Sequence, residues 1–125
     1  MSIAQLRPDE PVRLDHGRLE SLYMQLGAPG AEAVVARAME ELAARLARVE
    51  RLFSGGDHHE LHRAARSMVG IAEQIGMDMF ARVAGDVAAL TLTHDAAALA
   101  ATMARLKRIG EGSLMAVWDL HDASV

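Results

Sequence analysis

The densest run of side chains able to do chemistry is HHELHRAARSMVG at residues 58–70, which holds His58, His59, His62, Arg63 and Arg66. A neutral imidazole offers a nitrogen lone pair near neutral pH, so these histidines could serve a metal, a proton or an electrophile. Spacing argues against the metal. A zinc-hydrolase helix reads His-Glu-x-x-His; His59 and Glu60 begin it, but Arg63 stands where the second histidine belongs. His58 and His62 have the four-residue spacing of a ligand pair, yet beyond neighbouring Asp57 no third ligand of the usual type follows. A polar helix start is the ordinary reading, and neither metal nor cofactor is expected. Arg66 offers donors only, because a guanidinium stays protonated at any physiological pH. Thiol nucleophiles, disulfides and thiolate ligands are excluded, since the chain has no cysteine. No glycine-rich phosphate loop or nucleophile elbow occurs either. No catalytic residue is expected, and the chain does not read as an enzyme.

Periodicity and punctuation define the elements that position these side chains. On a helical wheel of about 100° per residue, residues 59–75 place Leu61, Ala64, Ala65, Met68, Ile71, Ala72 and Ile75 on one side. His59, His62, Arg66, Gly70 and Glu73 fall opposite, with Val69 at the border. Asp57 followed by Glu60 resembles a capping box, and Gly76 closes the helix. Upstream, Val35, Met39, Leu42, Leu46, Val49 and Phe53 alternate steps of four and three, the seam of a helix packed on a neighbour at roughly 20°. A shorter helix is expected over residues 15–26, capped by Asp15 and stopped by GAPG at residues 27–30. Downstream, Asp78 is expected to cap a helix that turns Phe80, Val83, Ala84, Val87 and Leu90 inward. THD at residues 93–95 makes the next break. A last helix from about residue 96 carries Leu99, Met103, Leu106 and Val117 inward, and Gly110 and Gly112 predict a kink or early end there.

The expected fold class is all-α: an antiparallel up-down four-helix bundle, with the short N-terminal helix across one end. Residues 1–11, with Pro8 and Pro11, read as an extended lead-in, leaving residues 12–125 as one helical domain. With 51% apolar residues but only 3% aromatic, the core must be built from Ala, Leu, Val and Met, which suits closely packed helices. The net charge of -4 and the scattered Lys and Arg leave no footprint for nucleic acid. No segment approaches the roughly 20 unbroken apolar residues of a membrane helix. The first residues also lack the basic-then-apolar order of a secretory leader, so a cytoplasmic location is expected.

Gly70 is the odd member of the outward stripe, because an interior helix glycine costs about 1 kcal/mol relative to alanine and this one fills no core. The segment ELHRAARSMVGIAEQIGM, residues 60–77, resembles the histidine-containing phosphotransfer (HPt) domains of two-component phosphorelays. Their helix reads roughly A-H-S-L-K-G and ends in L-G; Ala65, Ser67, Met68 and Gly70 match it, and Ile75 with Gly76 matches the end. The order of helices follows the family over nearly the whole chain. Two positions depart from it: the phosphoacceptor histidine is Arg66, and the companion lysine is Val69. The resemblance therefore implies a protein that binds receiver domains of response regulators or hybrid kinases but does not carry phosphate at the family's position. It places the partner-binding surface at His59, His62, Arg63, Arg66, Val69, Gly70 and Glu73. Arg66 would enter the receiver's acidic, magnesium-holding pocket. Two alternatives stand beside this reading. One is an active phosphocarrier through His62, although a displacement of about one helical turn, 5.4 Å, spoils in-line transfer, and a solvated surface histidine is the simpler view. The other is a helical adaptor or oligomer unconnected with phosphorelays.

Overall fold

The computed structural model describes residues 14–123, with side chains described through residue 119. The expected lead-in over residues 1–11 lies outside them. Four helices follow in order: α1 (His16–Gly55), α2 (His58–Gln74), α3 (Asp78–Leu90) and α4 (Ala96–Ala123). No strand occurs among the described residues. α2 packs against α1 and α3, α3 against α4, and α4 returns to α1, so the contacts close a ring.

The two helices expected before α2 are joined. α1 runs 40 residues, and its only non-helical backbone is Gly27, at φ 73 and ψ 166. The expected stop is a bend, and Pro29, two residues on, sits where the next arm begins and needs no amide donor. Asp15 caps the first arm as expected, accepting from the Arg18 amide at 3.0 Å. The seam of the second arm is buried at Val35, Leu42, Leu46 and Val49, while Met39 and Phe53 pack at its edge.

Facing that seam are Leu61, Ala65, Met68 and Ala72 of α2, Phe80, Val83 and Val87 of α3, and Leu99, Met103, Leu106, Ile109 and Val117 of α4. Each fully buried large apolar side chain contributes roughly 1.5–3 kcal/mol relative to exposure. Two local expectations are corrected. Asp78 does not cap α3: Met77 holds the N-cap position and makes no side-chain cap bond, so Asp78 is the first helical residue. α4 also runs on to Ala123, so the early end expected at Gly110 and Gly112 does not occur. Gly110 is buried, and an added Cβ there would lie 2.9 Å from Leu46 Cδ2 and 3.4 Å from Phe80 Cζ. Its missing side chain lets α4 pass close to α1 and α3.

Candidate functional site

Asp57 opens α2 by accepting from the Glu60 amide at 3.1 Å. The reciprocal half of the expected capping box is not made. The Glu60 carboxylate instead meets Arg48 of α1 and Arg63 of α2, each at 3.5 Å. These exposed pairs are worth well under about 1 kcal/mol each, so they hold Arg63 only loosely. One turn on, Arg66 is exposed and makes no hydrogen bond or ion pair with any described residue. Beside it, Ser67 Oγ donates to Ala64 O at 2.6 Å and accepts from Arg45 Nη1 of α1 at 3.1 Å. Through this bond a second guanidinium, whose buried Nε has no partner among the described residues, reaches α2 at Ser67. Sequence reasoning missed it, because residues 22 apart on different helices leave no periodic signal.

His62 is not the solvated histidine expected. It is half-buried, with Nδ1 2.8 Å from Ala88 O and 3.1 Å from Thr91 Oγ1. The Thr91 hydroxyl donates to the same Ala88 carbonyl at 2.6 Å. A carbonyl oxygen only accepts, so Nδ1 carries the proton. Ala88 lies in the last turn of α3, where carbonyls lack an intrahelical donor. The neighbouring amides go elsewhere, Thr91 to Val87 O and Leu92 to Ala89 O. His62 thus caps α3 from α2, a link worth about 1 kcal/mol.

The C-terminal half of α2 borders an open groove of about 750 Å³ between α2 and α3, reaching the start of α1. Val69 and Gly70 of α2 lie along it with Ala81 and Gly85 of α3. A Cβ on Gly70 would meet nothing within 4 Å, and one on Gly85 would lie 4.0 Å from Val69 Cγ2, so neither glycine is imposed by packing. Glu73, Asp78 and Asp86 line the groove with Arg82, and Arg18, whose Nε donates to Gln74 O at 3.2 Å, closes one end.

The seven residues singled out from the sequence therefore share α2 but not one environment. His59, Arg63, Arg66, Gly70 and Glu73 are exposed, Val69 is half-buried toward the groove, and His62 is turned to α3. Cationic groups occupy the N-terminal half of the face, and carboxylates surround the groove beyond Gly70. Such a surface can pair an acidic partner at Arg66 through charge-assisted hydrogen bonds. Among the described residues no three His, Asp or Glu side chains gather as a metal site requires. Comparisons of the chain with protein-family models, curated proteins and solved structures return no match.

Proposed function

We propose that the chain is an HPt-like protein of two-component phosphorelay signalling that docks receiver domains through the outward face of α2 and carries no phosphate on residue 66. The reading is carried by one observation: at the position of the family's acceptor, Arg66 is an exposed guanidinium free of partners among the described residues. A cation held by nothing of its own is available to a carboxylate-lined pocket, and pairing there needs no internal bond to break. The ring of contacts and the short links, residues 56–57, 75–77 and 91–95, support an antiparallel up-down bundle of the HPt kind. Such a module works in the cytoplasm, where receivers are found, and acts by masking a receiver or competing for it.

The test is binding to purified receiver domains with magnesium. At least one is expected to bind, and Arg66→Glu to weaken it about tenfold or more, since it replaces attraction with like-charge repulsion. Binding indifferent to that reversal, or no binding by any receiver, would overturn the reading and leave a helical adaptor. Arg66→His combined with Val69→Lys is expected to gain transfer from a phosphorylated receiver, read as acid-labile phosphate on the protein.

A further inference from the structure

We infer that α2 is also a self-association surface: two copies of this chain pair their α2 helices antiparallel, about a two-fold axis between Val69 and Gly70. The inference goes beyond receiver docking and is tested without a receiver. Its first support is a charge pattern that complements itself. Arg66 and Glu73 are both exposed, and neither side chain makes a hydrogen bond or ion pair with any described residue. They stand seven residues apart, close to two helical turns, so they project from one face about 10 Å apart along the axis. Their midpoint falls between Val69 and Gly70. A second α2 laid antiparallel across that midpoint sets Arg66 of each copy against Glu73 of the other, the same contact made twice. A parallel pair would set Arg66 against Arg66 and Glu73 against Glu73, so charge selects one orientation. The other acidic side chain of α2, Glu60, is engaged by Arg48 and Arg63.

Shape is the second support. Gly70 is exposed at the centre of this contact, and a Cβ there would meet nothing within 4 Å. Packing within the chain does not account for the glycine; a helix arriving from outside does, because bare backbone admits it closer than the usual 8–10 Å or so between axes. On the α3 side of Gly70 the open groove of about 750 Å³ gives the incoming side chains room. Charge along that groove fits as well. Asp15, Glu73, Asp78 and Asp86 outnumber Arg18 and Arg82 there, whereas the N-terminal half of α2 carries Arg63 and Arg66. In the antiparallel register Arg63 of one copy comes level with residue 76 of the other, at the end of the groove where Asp78 opens α3.

α2 has 17 residues and is about 25 Å long. A contact of one helix pair buries less than the roughly 1,600 Å² of a standard interface, so the dimer is weak and reversible. It covers Arg66, so dimer and receiver exclude each other: self-association keeps the docking guanidinium masked until a receiver competes for it. That consequence alone rests on the docking reading.

The experiment is sedimentation equilibrium of the full chain over a range of concentrations at low salt. The wild-type mass is expected to rise from one chain toward two, and less so as salt screens the pairs. Arg66→Glu and Glu73→Arg are each expected to weaken self-association about tenfold or more, since each sets like charges together twice. Mixed one to one, the two variants are expected to associate with each other, because only the mixed pair restores both contacts. The double variant, Arg66→Glu with Glu73→Arg, is expected to recover the wild-type mass. Gly70→Leu is expected to weaken the dimer with the charges intact. All these positions are exposed, and an unchanged melting midpoint in dilute solution checks the fold. A wild-type chain that stays single throughout, reversals that leave association unchanged, or a mixture that stays apart would overturn the inference. Receiver binding by a chain that never pairs would leave docking standing, and pairing without receiver binding would leave the dimer.

Discussion

Two helical glycines, Gly70 and Gly110, sit in opposite surroundings. Around Gly70 an added Cβ meets nothing within 4 Å, whereas at Gly110 it meets Leu46 and Phe80. Gly70→Ala is therefore expected to stabilise the fold by up to about 1 kcal/mol, read from the denaturation midpoint. Gly110→Leu is expected to cost about 1–3 kcal/mol, because the new side chain overpacks a filled space. Sequence pattern placed the first on the outward face of its helix, where it lies, but read the second as a weak point. A glycine that breaks a helix and one that admits a neighbour look alike until the neighbour is known. Ser113 is a further case. Its hydroxyl is buried with no partner among the described residues, so Ser113→Ala is expected to be neutral or stabilising by about 1 kcal/mol in the same measurement. Nothing near residue 113 in the chain distinguishes that serine from a surface one.

At the scale of elements, caps and turns were legible where the signal was local. Asp57 and Asp15 each accept from the amide three residues on, as their spacing implied. The turn between α2 and α3 was less so. Met77 donates its amide to Ala72 O at 2.9 Å and Gly76 to Glu73 O at 3.2 Å, which closes α2, and buried Met77 is at the same time the N-cap of α3. One residue serves both helices, so Asp78 is displaced into the first turn. Asp57→Ala is accordingly expected to cost about 1 kcal/mol, and Asp78→Ala less, since it forfeits only a charge near a helix start. His62 was misplaced for a related reason. A wheel divides one helix into inside and outside, but the carbonyl that draws His62 inward belongs to α3.

For the whole molecule, alternating apolar steps identified the helices and most of the core, because burial on one face repeats along the chain. The groove beside Gly70 needed Gly85 and Val69 from two helices brought together, and no single segment encodes that. One long-range tie has a consequence for how the fold comes apart. The Asp15 amide donates to Gly76 O at 2.7 Å, and Arg18 Nε to Gln74 O at 3.2 Å. Gly76 holds φ 78, and a Cβ there would lie 2.7 Å from Asp15 O. A methyl at residue 76 thus strikes a segment distant in the chain as well as its own turn. In Gly76→Ala, amide exchange is expected to quicken across residues 18–26 together with the end of α2, while the middle of α4 stays protected. The opening of α1 and the closing of α2 would then be unfastened by the same carbon atom, as one latch rather than two ends.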